Sequence, residues 1–141
     1  MTTVIYDHKR KQVAIDSRYT RGDVIDTDKG NKVRKDSRGI WLFSGHQADF
    51  EDLMALKRNE KVDVRPECGA ILIKNGCAFS VDTDDDGFCI VAKLNDSFAM
   101  GSGYQFAIAA LDLGKTAKEA VNYAKTRDIY TGGRVRVFDV K

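Results

Sequence analysis

The side chains best suited to nucleophilic or metal chemistry are three cysteines, Cys68, Cys77 and Cys89, and two histidines, His8 and His46. Three is an odd number, and no two cysteines form a Cys-x-x-Cys pair, so the sequence predicts neither a disulfide framework nor a zinc site. A cysteine–histidine enzyme needs an imidazole beside a thiol, and nothing in the spacing brings either histidine to one. We therefore expect reduced thiols in a hydrophobic core.

The acidic run DTDDDG at residues 82–87 is a second candidate for chemistry. Alternating carboxylates at the start of such a run are typical of a calcium-binding EF-hand loop. However, the twelfth position holds Lys93 where that loop needs a bidentate glutamate, and strand-like runs flank it where helices are needed. The pattern favours a tight hairpin turn, and we predict no side-chain metal site.

Five short motifs occur in order over nearly the whole chain. They are DSRYTRG at residues 16–22, NKV at 31–33, SGHQAD at 44–49, GSG at 101–103 and RDIYTGG at 127–133. This set resembles the motifs of proteasome β subunits and of the bacterial HslV peptidases. The GSG tripeptide alone would equally suit the anion-binding start of a helix, but five matches in order are far more specific than one. The resemblance implies an N-terminal nucleophile hydrolase.

By this resemblance, Thr2 is the nucleophile once Met1 is removed. A threonine hydroxyl is a weak nucleophile, but an N-terminal threonine carries its own base. Its α-amine titrates at about 7.7–8.0 and accepts the hydroxyl proton directly or through water. The implied enzyme is a threonine-type peptidase or amidohydrolase that acts on peptides or proteins through an acyl-enzyme.

The resemblance also assigns supporting roles. Lys32 would place a positive charge beside Thr2, and Asp16 would orient Lys32 by an ion pair. Lys35 is the candidate for the lysine role if the loop is offset. The backbone N–H of Gly45 would face the developing oxyanion. The implied proton network beside the amine consists of Ser102, Asp128 and Thr131.

A substrate pocket and a cation position are implied in the same way. The pocket residues would be Tyr19, Gly30, Phe43 and Gln47. An aromatic and neutral lining of this kind predicts a preference for apolar substrate side chains. No organic cofactor is implied. A structural monovalent or divalent cation would bind backbone carbonyls of Lys125, Asp128 and Thr131.

The hydrophobic pattern predicts the elements that must position these residues. Short apolar or alternating runs between turn residues predict strands at residues 3–7, 13–16, 40–43, 70–74, 77–81, 88–92 and 135–139. Three-and-four spacing predicts an amphipathic helix over residues 46–58. A nearly all-apolar run over 104–113 predicts a buried helix with Gly114 as its C-cap. Thr116 and Glu119 predict the capping box of a further helix.

This order of elements indicates an α+β domain with helices on antiparallel sheets. With the resemblance, it predicts a single domain over residues 1–141, a four-layer αββα N-terminal nucleophile sandwich. Only a short polar connection separates Arg58 from Cys68, where the family has its second helix, and the chain ends at Lys141. One helical layer is therefore expected to be reduced. Because this surface is lost, the sequence leaves open whether the chain forms a homo-oligomeric ring and whether it binds an ATPase partner.

Composition limits the function classes. With 23 Lys plus Arg against 21 Asp plus Glu, the net charge of +2 is too small to drive binding to nucleic acid or anionic membranes. No apolar run approaches the roughly 20 residues of a membrane span, and the polar start is unlike a signal peptide, so we expect a cytoplasmic protein. Two hypotheses stay open: the peptidase, favoured by the complete polar set, and a non-catalytic proteasome-like protein that binds another protein, favoured by Met1 and the missing helix.

Overall fold

The computed structural model describes residues 2–141, and Met1 lies outside the described residues. The strands are β1 (Val4–Asp7), β2 (Gln12–Ile15), β3 (Tyr19–Arg21), β4 (Val24–Thr27), β5 (Val33–Asp36), β6 (Gly39–Gly45), β7 (Cys68–Lys74), β8 (Cys77–Thr83), β9 (Cys89–Lys93), β10 (Phe98–Met100) and β11 (Arg136–Asp139). The helices are α1 (Phe50–Ala55), which follows a 3-10 turn at Gln47–Asp49, α2 (Tyr104–Asp112) and α3 (Ala117–Ala124). The result is a mixed α and β domain.

The strands form two larger sheets and a two-stranded ribbon. The four-stranded sheet has the order β10-β1-β2-β11, so the first strand lies in its interior. Val4 pairs with Met100 on one side and with Ile15 on the other. The five-stranded sheet is the meander β5-β6-β7-β8-β9, and β3 pairs with β4 in the ribbon.

Alternation along the strands sends side chains into different cores. Val4 and Tyr6 of β1 join a cluster that the two larger sheets share, whereas Ile5 joins a cluster with α2 and α3. A third cluster lies between the five-stranded sheet and α1, around Trp41 and Phe43. Each larger sheet therefore contacts the other sheet through one set of residues and helices through another.

The ends of the later helices follow the sequence closely. Gly114 adopts φ +94°, its N–H bonds to Leu111 O, and Lys115 N–H bonds to Ala110 O, which together form a Schellman C-cap. Thr116 and Glu119 form a complete capping box at the start of α3. Both capping predictions are confirmed.

Other predictions need correction. Of the helix predicted over residues 46–58, only Phe50–Ala55 is α-helical, after the 3-10 turn at Gln47–Asp49. The helix ends early because Leu56 turns to an extended conformation and packs back against the outer cluster. The helix α2 is not buried all round, since Tyr104 is 45% exposed and Leu113, just after it, is 85% exposed. Four short strands, β3, β4, β5 and β10, were not predicted.

Residues 56–67 contain no helix, as the short polar connection predicts. Within residues 2–141, α1 is therefore the only helix that contributes residues to the outer cluster. None of the helices in residues 2–141 has the length and apolar character that a bilayer-spanning segment requires.

Candidate active site

The ammonium of Lys32 lies between a hydroxyl and a carboxylate. Its Nζ donates to Thr2 Oγ1 at 2.8 Å and to Asp16 Oδ1 at 2.8 Å. All three residues are at most 2% exposed. We call Thr2, Asp16 and Lys32 the lysine centre. Lys35, the alternative candidate for the lysine role, is exposed on β5 opposite Ile40. The structure therefore brings Lys32, and not Lys35, to Thr2.

Each residue of the lysine centre stands next to the end of a strand. Thr2 lies just before β1, Asp16 directly follows β2, and Lys32 directly precedes β5. Asp16 N–H bonds to Thr3 O at 3.3 Å, and Lys32 O accepts from Phe43 N–H at 2.9 Å. The backbone hydrogen bonds between strands therefore continue past the strand ends. They fix the backbones of residues whose side chains contact one another.

The Asp16 carboxylate accepts hydrogen bonds at both oxygens. Besides Lys32, its Oδ1 accepts from Thr3 N–H at 3.3 Å. Its Oδ2 accepts from Gly132 N–H at 2.9 Å and from Arg18 N–H at 3.4 Å. A carboxylate bonded in this way is held in one orientation, so it keeps the ammonium aimed at Thr2.

Burial lowers the pKa of Lys32 below its ordinary value, although the neighbouring Asp16 opposes this shift. The ammonium also lies 5.5 Å from the centre of the Tyr19 ring. Because its Nζ bonds directly to Thr2 Oγ1, its charge acts on that oxygen through a desolvated contact. A positive charge there stabilises any negative charge that develops on the hydroxyl oxygen.

A second polar group continues from the next residue of the chain. Thr3 Oγ1 lies 2.7 Å from Thr131 Oγ1, and Thr131 Oγ1 donates to Asp128 Oδ2 at 2.6 Å. Ser102 Oγ donates to the same Asp128 oxygen at 2.6 Å. We call Thr3, Ser102, Asp128 and Thr131 the hydroxyl centre.

The two centres meet at the backbone of Thr2. The carbonyl oxygen of Thr2 accepts from Gly103 N–H at 3.4 Å and from Ser102 Oγ at 3.5 Å. Thr3 is the member that sequence reasoning missed. Alternation was the available signal, because adjacent residues of an extended segment point to opposite sides.

The backbone of Gly45 is directed by the alternation of β6. Phe43 N–H bonds toward Lys32, and His46 N–H bonds toward Glu67 on the other edge of the strand. Since N–H groups alternate between the two edges, the Gly45 N–H points to the edge where Lys32 lies, beyond the start of β5. Gly45 has φ +117°, and a Cβ there would collide with the Glu67 carbonyl, so glycine is required.

A groove of about 510 Å³ opens beside Gly45. Tyr19 and Gln47 lie on its wall, together with His46. Asp26 also lines this groove. The sequence predicted a neutral lining, and this acidic residue corrects that prediction. The groove is a surface on which an extended chain could lie next to the Gly45 backbone.

Phe43 and Gly30 do not line this groove, which corrects their predicted roles. Phe43 is fully buried in the cluster under α1, and its ring stacks against Trp41 and Phe50. Gly30 lies under the Tyr19 ring, where a Cβ would overlap ring atoms. Its effect on the groove is therefore indirect, through the position of Tyr19.

The loop that carries Asp128 and Thr131 is held by Arg18. The guanidinium bonds to Asp28 Oδ1 at 2.7 Å and Oδ2 at 3.1 Å, and to the carbonyl of Ile129 at 2.8 Å. Its planar group lies against Gly132, where a Cβ would collide with it. Arg18 thus fixes the hydroxyl centre relative to the lysine centre.

Two sets of groups could hold a cation. Asp128 O already accepts from Thr131 N–H at 3.1 Å, and the Lys125 ammonium bonds to Gly133 O at 2.7 Å. The carbonyl-bound cation at Lys125, Asp128 and Thr131 stays a prediction. Within residues 2–141, the ligand atoms of His46, Asp49 and Glu67 lie within 4.8 Å of one another on the rim of the site.

The other residues singled out in the sequence lie apart from these centres. Cys68 and Cys89 are buried as predicted, whereas Cys77 is half-buried. Burial raises the pKa of the Cys68 thiol to about 12, which leaves it a poor nucleophile. Residues 84–88 form a turn between β8 and β9 in which Asp84 Oδ1 accepts from the N–H groups of Asp86 and Phe88.

No family model and no curated protein matches the sequence. Solved structures do match the fold. The chain is similar to eukaryotic HslV from Trypanosoma brucei, with a TM-score of 0.75 and 21% identity over 97% of this chain and 98% of that one. It is also similar to Thiobacillus denitrificans BPH in complex with epoxomicin, with a TM-score of 0.73 and 14% identity over 99% and 100% of the two chains. At these identities the likeness shows an HslV-like fold.

Proposed function

We propose that this protein is an N-terminal nucleophile hydrolase that cleaves peptide or protein substrates, with Thr2 as its nucleophile after cleavage of the bond between Met1 and Thr2. One observation carries the proposal. The buried Lys32 ammonium bonds to both Thr2 Oγ1 and Asp16 Oδ1 at 2.8 Å. Burying a charge is costly, so a charge held against a hydroxyl at the start of the chain is consistent with a catalytic use.

The first chemical step uses the amine that cleavage creates. The free α-amine of Thr2 accepts the Oγ1 proton, directly or through water, while the oxygen attacks the scissile carbonyl carbon. Lys32 stabilises the negative charge on the attacking oxygen, and Asp16 keeps Lys32 in place. The protonated amine then gives its proton to the leaving nitrogen, and an ester on Thr2 Oγ1 remains for water to hydrolyse.

The carbonyl oxygen of the substrate becomes negative in the tetrahedral intermediate. The Gly45 N–H, directed toward the Lys32 edge of β6, is the donor we assign to it. The groove beside Gly45 would hold the substrate chain, with Tyr19 and Gln47 on its wall. Because Asp26 also lines the groove, we expect basic as well as apolar substrate side chains to be accepted.

The hydroxyl centre has a positioning role in this proposal. Ser102 Oγ and Gly103 N–H both contact the Thr2 carbonyl, which fixes the backbone that carries the amine. Asp128 and Thr131 anchor Ser102 and Thr3 in turn. A cation on the carbonyls near Asp128 would stiffen the same loop.

We also propose the four-layer αββα arrangement for the fold. The three separate hydrophobic clusters support it, because one lies between the sheets and one lies under the helices on each side. The exposed Leu113, directly after α2, and the exposed Tyr123 on α3 support self-association into a homo-oligomer. Sedimentation velocity over a concentration series would measure that assembly.

The test of the proposed function compares two forms that differ only in whether Met1 precedes Thr2, and therefore in whether Thr2 has a free α-amine. In one, a removable fusion partner is cleaved directly before Thr2; in the other, Met1 stays attached. Each form is treated with a peptide epoxyketone, which needs both the hydroxyl and the free amine of one residue. We expect a single adduct on the Thr2 peptide of the processed form, detected by mass spectrometry, and none on the other form.

Variants at Thr2 provide the matched controls. Thr2→Ser keeps the hydroxyl and should still form the adduct, whereas Thr2→Ala should not. A processed, folded protein that stays unmodified and hydrolyses no peptide would overturn the proposal. The non-catalytic interaction protein would then be the better reading of the same fold.

A further inference from the structure

The outer face of the five-stranded sheet holds a cavity that the proposed reaction does not use. Its volume is about 390 Å³, within the range of roughly 300–1,000 Å³ that small-molecule sites occupy. Trp41, Leu72, Phe79 and Val91 are among its apolar lining residues, and none of the lysine centre lines it. The cavity lies where residues 56–67 run as a loop and add no second helix to this face beyond α1.

Basic side chains surround this apolar cavity. They are Arg38, Lys57, Arg58 and Lys74. None of the described residues lining the cavity is acidic, in contrast to the groove beside Gly45, which Asp26 lines. The cavity therefore combines an apolar interior with one sign of charge.

Most of this charge is uncompensated by neighbouring carboxylates. Arg38 pairs with Asp36 at 2.6 Å, and its guanidinium lies 4.6 Å from the Trp41 ring centre. Within residues 2–141, Lys57, Arg58 and Lys74 form no ion pair. A ligand that brought an anionic group to this rim would meet free cationic partners.

We propose that this cavity binds a small anionic amphiphile, namely a carboxylate with an aliphatic or aromatic body. The apolar body would contact Leu72, Phe79 and Val91, and burying it removes apolar surface from water on both sides. The carboxylate would lie at the rim, where Arg58 and Lys74 give charge-assisted hydrogen bonds. A volume of this size suits one small molecule, whereas a partner helix would need an elongated groove.

Trp41 makes the binding measurable without any enzyme assay. It is the single tryptophan of the chain, and it lines the cavity. We would titrate the full chain with decanoate and follow tryptophan fluorescence, with decyltrimethylammonium and 1-decanol as cationic and neutral probes of equal chain length. The expected result is saturable binding of decanoate at least tenfold tighter than binding of the cation.

Substitutions at the rim test the charge, and one inside the cavity tests the volume. The double variant Arg58→Gln with Lys74→Gln should weaken decanoate binding roughly tenfold and leave 1-decanol unchanged. The matched control is Lys118→Gln, an exposed lysine on α3, which should change neither. Val91→Phe should fill the cavity and reduce the binding of both probes.

Three outcomes would overturn the proposal. The first is equal affinity for decanoate and for the cationic probe. The second is decanoate binding that the rim variant leaves unchanged, with circular dichroism showing a native fold. The third is a fluorescence change that follows self-association in sedimentation rather than ligand concentration, which would assign the cavity to contact between copies of the chain.

Discussion

The lysine centre and the hydroxyl centre lie side by side, yet they are assembled differently. Thr2 belongs to one and Thr3 to the other. The lysine centre joins Lys32 to Asp16, 16 positions away, and to Thr2, 30 positions away, so it lies within the first 32 residues. The hydroxyl centre joins Thr3 to Thr131, 128 positions away. One centre is local in sequence, and the other exists only when both ends of the chain have met.

Their electrostatics also differ. The lysine centre buries a unit positive charge against a unit negative charge, so removing either partner leaves an uncompensated charge in a dry place. In the hydroxyl centre, two hydroxyls donate to one Asp128 oxygen, and no ammonium or guanidinium bonds to that carboxylate in residues 2–141. The comparison teaches that the first centre depends on charge and the second on geometry.

The largest expected effect tests the charge of the lysine centre. Lys32→Met leaves Asp16 buried without its cation and should lower the free energy of unfolding by about 3–5 kcal/mol. Urea denaturation at neutral pH measures this loss. Lys35→Met, on the exposed side of β5, is the matched control and should stay within about 0.5 kcal/mol of the parent. A loss below about 1 kcal/mol for Lys32→Met would break the comparison.

The second effect tests the geometry of the hydroxyl centre. A Cβ on Gly103 would overlap Thr3 Oγ1 and lie 3.0 Å from Thr131 Oγ1. Gly103→Ala should therefore cost about 1–3 kcal/mol of unfolding free energy, as overpacking does. The control is Gly69→Ala, whose Cβ would meet its nearest neighbour at 3.5 Å. Equal stability of the two alanine variants would show that the packing around Thr3 is loose.

A third substitution removes the charge of the hydroxyl centre and keeps its shape. Asp128→Asn retains one acceptor oxygen for Ser102 or Thr131, so we expect a loss of about 1–2 kcal/mol in unfolding free energy. Asp112→Asn, at the exposed end of α2, is the control. If Asp128→Asn costs more than Lys32→Met, the assignment of charge to one centre and geometry to the other is reversed.

The smallest effect concerns pH. The pKa of Lys32 is lowered below its ordinary value of 10.5. At pH values between this lowered pKa and 10.5, the unfolded chain therefore binds more protons than the folded one. The free energy of unfolding should therefore rise with pH in that window, by no more than about 1.4 kcal/mol per pH unit. Urea denaturation of the parent and of Lys32→Met across alkaline pH isolates this slope as a difference. A difference that falls with pH would mean that Asp16 raises the pKa of Lys32 by more than burial lowers it.

The residues next to strand ends were the ones that sequence motifs could locate. Asp16 and Lys32 have distinctive neighbours in the chain, and the structure brings them together with Thr2. Thr3 has no such motif, because its partner Thr131 is remote in sequence and the pairing arises from the tertiary fold. Phe43 was misplaced for a related reason, since stacking between Trp41 and Phe50 keeps its ring away from the groove.

Short elements were harder to predict from the sequence than long ones. β3 has three residues, Tyr19–Arg21, and its pattern is neither apolar nor strongly alternating. Its pairing with β4 depends on the turn at Gly22, which has φ +57°. The early end of α1 at Ala55 reflects packing of Leu56 on the sheet, which overrides the helical spacing of the residues that follow.

The interior position of β1 also sets the order of events during synthesis of the chain. Val4 is enclosed only after β10 pairs with it, and Thr3 meets Thr131 128 residues later in synthesis. At about 5–20 residues per second, that distance takes about 6–26 s to translate. Cleavage before Thr2 during this interval would act on a nascent chain in which the hydroxyl centre has not yet formed. Cleavage after this interval would act on a chain in which Thr3 is buried against Thr131.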